Sequence, residues 1–521
     1  MKQRFDIAVV GSGFAGSLMA MIAKKLGLDV VLLERGRHPR VVIGESSTPL
    51  SNLLLEELAT HYDLEALRPL CKWGSWRKSY PEVACGLKRG FTFLHHESAT
   101  AGPVARGNQL LVAASPHDSI ADTHWYRADF DAFLASEAQR LGVVYLDEIN
   151  LVTFTEDESG ARITGRRHDC EMEIKARFIV DATGPRGFLH RVLRLEEHEL
   201  PGMPATQALY SHFSGVRRID QTGGVILDSE PPYPVDDAAV HHVFDGGWIW
   251  ILRFCSGITS AGIAATDSLA QDLRLTEGKA AWERLLLRIP VLREQFLDAQ
   301  AVQPFRHIPR MAFRSAQITG RNWALLPSAA GFVDPLLSTG FPLTLLGITR
   351  LADILEQAWE SNNFAKRLSE YGAKTDAELL ATARLIGTLY ANFNNFPVFS
   401  AVTLLYFAAA SYSETARRLG RPELASSFLL HDHPQFGARC ARVLERARNV
   451  HNASNSAALI EEIGRIIEPV NVAGLASLSR RNWYPVDAED LLNSAHKLGA
   501  NREEIMGMLE RCGFQTSTSH R

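Results

Sequence analysis

Two apolar periods alternate along the first half of the chain, and the alternation predicts an α/β core. Residues 6–10 form a short, nearly continuous apolar run, the pattern of a strand buried on both faces. A helical period follows over 17–26, and a second apolar run over 29–33 predicts another strand. The same reading places helices over 50–58 and 129–141, and strands over 143–145, 151–156, 160–166 and 171–175. Two later strands, Phe178-Ile179-Val180-Asp181 and Trp323-Ala324-Leu325-Leu326, each run into small residues and a glycine. A long apolar-periodic helix is expected over 342–359. From about residue 364 helical periods dominate, over 378–390, 402–419 and 457–467. The stretch Asn392-Phe393-Asn394-Asn395-Phe396-Pro397 breaks the first two of these. The expected division is 1–360 for the α/β part, with a β-rich segment inside it, and 361–521 for a helical C-terminal domain.

Composition narrows the class without naming a chemistry. A chain of 521 residues is too long for one simple core. Its 46% hydrophobic and 22% charged content is that of a soluble globular protein. A net charge of −4 gives nucleic acid no electrostatic footing. The longest apolar run, residues 396–410, is interrupted by Pro397, Ser400 and Thr403 and falls short of the ~20 residues of a membrane span. The six cysteines, at 71, 85, 170, 255, 440 and 512, are scattered, with no CxxC or metal-ligand spacing. With no signal peptide ahead of the first strand, free thiols in a reducing cytoplasm are expected. His431-Asp432-His433 reads as a surface turn before Pro434, and no metal site is expected.

The first candidate chemistry lies between the first strand and the first helix, in Gly11-Ser12-Gly13-Phe14-Ala15-Gly16. In this context GxGxxG is the dinucleotide fingerprint. Gly11 permits a tight turn, Gly13 lets the backbone approach a pyrophosphate, and Gly16 lets helix and strand pack closely. The helix N-terminus presents free N–H groups to the phosphates. Glu34 closes the second strand, where a carboxylate binds ribose hydroxyls.

Further segments complete the pattern. Gly44-Glu45-Ser46-Ser47-Thr48-Pro49 is a polar turn. Ser47 and Thr48 are expected at the cofactor, and the same residues also read as a helix N-cap followed by proline at the first helical position. Arg127, just ahead of its helix, reads equally as a phosphate partner or as a surface arginine. Asp181-Ala182-Thr183-Gly184 returns the chain to the nucleotide sheet, with Asp181 and Gly184 at the cofactor. Asp334 lies in Gly331-Phe332-Val333-Asp334-Pro335, ahead of Ser338-Thr339-Gly340 and the long helix. The N-terminus of that helix suits an anion.

Taken in order, GxGxxG, GESSTP, the arginine-led helix, DATG and GFVDPLLSTG resemble the flavin-dependent halogenases of the FAD monooxygenase superfamily, over roughly residues 1–360. The phenol-directed branch, that of the phloroglucinol halogenases, is the most similar. Its likeness extends to Ala84-Cys85-Gly86-Leu87-Lys88-Arg89-Gly90-Phe91-Thr92-Phe93 and to a helical C-terminal domain. The resemblance implies a glutathione-reductase-like, Rossmann-type FAD-binding fold with an inserted β-sheet substrate region. It implies FAD used as FADH2, a chloride or bromide co-substrate, and a flavin C4a-hydroperoxide that oxidises halide to hypohalous acid. The family's catalytic lysine falls on Lys88, and its halide site on the backbone N–H groups of Thr339 and Gly340. With no second GxGxxG unit in the chain, a separate flavin reductase is the expected partner.

Two departures bear on the substrate. Indole halogenases carry a glutamate immediately before Ser-Thr-Gly, and here that position is Leu337. A phenol activates its own ring, so the change points to a phenolic or otherwise electron-rich arene, free or bound to a carrier or protein. The family signature W-x-W-x-I-P stands here as Trp248-Ile249-Trp250-Ile251-Leu252-Arg253, with both tryptophans but no Ile-Pro. Trp248, Trp250 and Leu337 are the expected substrate pocket. The lost pair leaves a second reading open, an FAD-dependent monooxygenase that hydroxylates an aromatic substrate, a tryptophan within a protein included. A non-catalytic nucleotide-binding module would require Lys88, Thr339 and Trp248 to lie on separate surfaces.

Overall fold

The computed structural model describes residues 4–97, 102–158, 160–450 and 453–514. Strand Arg4–Val10 pairs in parallel with Val30–Leu33 on one side and with Cys170–Asp181 on the other. Val144–Leu146 and Trp323–Leu325 extend the parallel set at either flank. Ile7, Ala8, Val9 and all of Val30–Leu33 are buried, as expected for parallel strands covered on both faces. Val10 is register partner to both Leu33 and Asp181, so the C-terminal ends of three strands meet at Gly11, Glu34 and Asp181. That crevice is where open α/β sheets bind ligands.

Cys170–Asp181 is one strand of 12 residues, where the sequence suggested two. Its first half pairs antiparallel with Gly160–Arg167, and its second half runs parallel to Arg4–Val10 and Trp323–Leu325. Periodicity marks the apolar stretches but not that one strand changes partners midway. The helix after the fingerprint begins at Phe14, three residues earlier than its apolar period suggests.

A second sheet of nine strands carries the inserted β-rich segment. Its path runs from Gln300–Ala301 through Thr206–Ser214, Thr259–Thr266, Gly247–Arg253, Ala239–Phe244 and Gly90–His95 to Gln109–Ala113 and Trp483–Tyr484. The last strand comes from the C-terminal region, which is therefore not purely helical: Trp483 and Tyr484 pair with Leu111 and Val112. A separate two-stranded sheet joins Cys85–Lys88 to Asp122–Trp125.

Helix Phe396–Arg418 packs across the nine-stranded sheet. The Phe399 ring meets Phe93 at 5.8 Å and the Phe407 ring meets Phe91 at 5.0 Å. At 23 residues this helix is long and apolar enough to cross a bilayer, which the interrupted apolar run did not suggest; 83% of its most apolar window is buried inside the fold. Phe393, Phe396 and Phe399 are core residues, whereas Tyr406 and Phe407 border a cavity described below.

Candidate active site

The nucleotide end is built at the sheet crevice. Gly11 has φ +98°, and a Cβ there would lie 2.7 Å from the Ala182 carbonyl oxygen. A Cβ on Gly16 would lie 1.8 Å from the Gly11 carbonyl oxygen, so only glycine allows this helix to sit so close to its turn. Around Gly13 two guanidinium groups and the Asp131 carboxylate that holds one of them come close. A Cβ there would be 3.4 Å from Arg40 and 3.5 Å from Arg127. Arg127 is oriented by two 2.8 Å bonds to Asp131 and donates to the Gly44 carbonyl at 2.9 Å. Two guanidinium groups at a glycine turn and a helix N-terminus fit a pyrophosphate.

Glu34 accepts hydrogen bonds from the Ser12 N–H and hydroxyl and from the Gly36 N–H, with Arg40 3.4 Å away. Burial acts to raise its pKa, but the Arg40 charge and these hydrogen bonds outweigh burial and hold it below the usual carboxylate value.

A cavity of about 700 Å³ runs from Gly13, Phe14 and Ala15 past Gly44, Arg127 and Gly184. It continues to Trp248, Trp250, Asp334, Thr339 and Gly340. Leu337 and Ser338 both lie in the left-handed region, at φ 63° and 55°, and turn the chain sharply into helix Gly340–Ala358. Such conformations cost energy in non-glycine residues and concentrate at functional sites. Thr339, Gly340 and Phe341, at the start of the helix, border the cavity, a setting for an anion.

Asp334 anchors the segment before this turn. Its carboxylate accepts from the Leu336 N–H at 2.9 Å, the Trp248 indole at 3.2 Å and the Tyr390 hydroxyl at 2.8 Å. Burial pushes its pKa up to about 7, against the pull of those three donors.

Lys88 is fully buried. Its Nζ donates to Ser46 Oγ at 2.8 Å and to the Ser47 carbonyl, and lies 3.7 Å from the Phe91 ring centroid. Burial lowers its pKa, with the Asp122 charge acting the other way. Arg89, between strands Cys85–Lys88 and Gly90–His95, pairs instead with Asp118. Ser46 borders the large cavity, while Phe91 borders a second, smaller one of about 160 Å³. The smaller cavity is walled by Val112, Tyr406, Phe407 and Leu509, with Lys72, Asp122, Asp487 and the Arg418–Glu414 ion pair as its charged groups. The Lys88 amine thus touches a wall residue of each cavity.

Several expected residues sit elsewhere. Asp181 spends its carboxylate on Thr183 and on the Leu189 N–H, shaping its own turn, and does not border the large cavity. Ser47 is bonded to the Thr123 carbonyl, and Thr48 caps helix Pro49–His61 through the Ser51 N–H. Of the GESSTP turn, Gly44, Glu45 and Ser46 face the large cavity, while Thr48 borders the smaller one. Leu337 is fully buried and borders neither. Trp248 and Trp250 border the large cavity and not the small one. Arg253, in the place of the expected proline, bonds to the buried Asp236 at 3.0 Å and to the Val216 carbonyl, away from the large cavity. Asp432 is held by Ser426 and Ser427, and no cluster of three metal-ligating side chains occurs among the described residues.

Sequence reasoning missed Arg40, Asp122, His241 on the wall of the large cavity, and His212, which pairs with Glu45 of the GESSTP turn at 2.8 Å. Each reaches its place through tertiary contacts, with no local motif to announce it.

The tryptophan halogenase family profile matches residues 121–395. The chain is 27% identical to monodechloroaminopyrrolnitrin halogenase PrnC of Pseudomonas fluorescens, over 85% of this chain and 79% of that protein. It is 26% identical to tetracycline 7-halogenase of Kitasatospora aureofaciens, over 78% and 73%. Among solved structures, halogenase PltM in complex with phloroglucinol and FAD superposes with a TM-score of 0.82 at 24% identity, over 92% of this chain and 99% of that one. At that identity it is the fold that is shared.

Proposed function

The chain belongs to the tryptophan halogenase family, and on that footing we propose that it halogenates an electron-rich, phenol-type arene using reduced FAD, oxygen and a halide ion. The observation that carries this reading is the position of Lys88, whose buried amine contacts Ser46 on the larger cavity and lies over Phe91 on the smaller. The larger cavity is the cofactor and halide side, and the smaller one is the arene side.

Bound reduced FAD with oxygen supplies the oxidising equivalent that turns halide into hypohalous acid. Arg40, Arg127 and the Gly13 turn hold the pyrophosphate, and Glu34 with its Ser12 and Gly36 donors sets the ribose end. The Thr339 and Gly340 N–H groups hold the halide beside the flavin. Lys88 receives the hypohalous acid by hydrogen bond and presents its halogen to the arene. Burial of the amine keeps water from competing for the oxidant.

Cavity size limits the substrate. An apolar cavity of ~150 Å³ holds one benzene ring, and the smaller cavity, at about 160 Å³, takes a single aromatic ring at its reacting end. Without the glutamate that stands before Ser-Thr-Gly in indole halogenases, the ring must bring its own activation, as a phenol does. The replaced Ile-Pro pair leaves halogenation supported, because Leu252 keeps the cavity wall apolar while Arg253 pairs with Asp236. FADH2 comes from a separate flavin reductase. The test is incubation with a flavin reductase, NADH, FAD, oxygen and bromide, with mass spectrometry of a phenol panel. A bromine isotope pattern supports the reading, and its absence across single-ring phenols defeats it.

A further inference from the structure

The smaller cavity contains a carboxylate that no motif announces. Asp122 is the register partner of Lys88 across the two-stranded sheet, so the two side chains stand on the same face. It is 6% exposed and borders the cavity. Asn52, on helix Pro49–His61, donates to its Oδ1 at 2.8 Å. Its Oδ2 has no hydrogen-bond partner. A buried carboxylate oxygen without a donor is costly, and it persists where a ligand supplies the missing proton.

We infer that Asp122 is the base for the arene, its Oδ2 accepting the hydroxyl proton of a phenol bound in the smaller cavity. This rests on the reading of that cavity as the arene site. As the ring carbon ortho or para to the hydroxyl attacks the halogen, the carbon–halogen bond forms and the halogen–oxygen bond of hypohalous acid breaks. The electrons of the phenolic O–H bond move into the ring, and the proton passes to Asp122. Loss of the ring C–H proton to the departing hydroxide gives water, and Asp122 returns its proton to the phenolic oxygen. The net change is arene plus hypohalous acid to haloarene plus water. The assignment also gives a physical role to the leucine at 337. The carboxylate absent at that position is supplied instead by the strand that pairs with the Lys88 strand.

The groups facing Asp122 are Lys88 from the partner strand, Asn52 from the capped helix, and Glu414 and Arg418 from helix Phe396–Arg418, with Tyr406 beside them. Burial raises the Asp122 pKa against the Lys88 charge. Its ionised, proton-accepting form is therefore lost well above the ordinary carboxylate range as pH falls.

The probes are 1,3,5-trihydroxybenzene and its trimethyl ether, which has the same ring and no hydroxyl proton. Asp122→Asn should lower kcat on the trihydroxy compound by about 10² or more, the usual span for a positioned base. The loss on the ether should be smaller by at least about tenfold, because no hydroxyl proton is there to accept and only the Asp122 charge beside Lys88 is removed. FAD binding and thermal melting serve as controls on folding. In the unmodified protein, the acid limb of the kcat/KM profile should appear with the trihydroxy compound and be absent with the ether, a readout that needs no variant. Equal losses on both probes, or identical acid limbs, would overturn the assignment while leaving halogenation standing. If the unmodified protein yields no hypohalite in a trapping assay and halogenates neither probe, the halogenase reading falls and this one with it.

Discussion

The Trp248 indole N–H donates to Asp334 Oδ1 at 3.2 Å, tying the strand with the two retained tryptophans to the segment that leads into Ser338-Thr339-Gly340. Trp248 and Asp334 both border the large cavity, and Tyr390 holds the other carboxylate oxygen. Trp248→Phe removes one of three donors from a buried carboxylate. A loss of about 1–3 kcal/mol is expected, together with a raised halide KM. Chemical denaturation and halide titration measure the two effects, and a KM change without a stability change would separate the turn from this bond.

Gly13 and Gly16 predict opposite outcomes for the same substitution. Gly13→Ala meets the tips of the Arg40, Arg127 and Asp131 side chains and no backbone. The apo protein should melt normally, while its FAD Kd rises about tenfold or more, equivalent to at least 1.4 kcal/mol. Gly16→Ala drives a methyl against the Gly11 carbonyl, which cannot yield without moving the backbone. A stability loss of about 3 kcal/mol is expected, readable in the melting temperature.

Glu34 predicts a pH window. Its folded pKa lies below the usual value, so its stabilisation is fully present above pH 4.5 and is lost as pH falls through the depressed folded value. Glu34→Gln should therefore melt earlier than the unmodified protein at neutral pH, and the gap should close in acid. A gap that widened on acidification would contradict the sign.

Lys88→Met should cut halogenated product by at least about 10²-fold while FAD binding persists. The amine is already desolvated and held by Ser46 and Ser47, so a thioether of similar length fits the space. Product analysis and a flavin-binding titration check this pair of outcomes.

How much of this was legible depended on how local each signal is. Gly11, Gly13, Gly16 and Glu34 are read within one strand–helix–strand unit, and the backbone needs that make them recognisable are the ones the fold displays. Thr48 and Pro49 announced a helix cap, and the cap turns Thr48 away from the larger cavity. Asp181 resembled a cofactor ligand in sequence, but its carboxylate is consumed by the turn that follows. Leu337 marked the absence of a glutamate correctly as a residue type, yet its left-handed backbone sends the side chain into the core. Asp122 was beyond reach, because only the pairing of Cys85–Lys88 with Asp122–Trp125 brings it to the lysine, whereas the aromatic spacing of the C-terminal helix did offer Tyr406 as a pocket residue. The same limit hid Trp483 and Tyr484, a strand that exists only through its partner.

Gly340 offers the sharpest test of halogenation against hydroxylation. A Cβ there meets nothing within 4 Å, so Gly340→Val should fold and project its side chain into the open space at the anion turn. In the unmodified protein, product formation from a single-ring phenol should saturate with bromide, carry bromine by mass, and vanish in halide-free buffer. In Gly340→Val the bromide KM should rise by about tenfold or more, a change of at least 1.4 kcal/mol in halide binding. Halide-independent turnover to a product heavier by one oxygen atom would contradict halogenation outright and make the residues at 252 and 253 the sign of a hydroxylase.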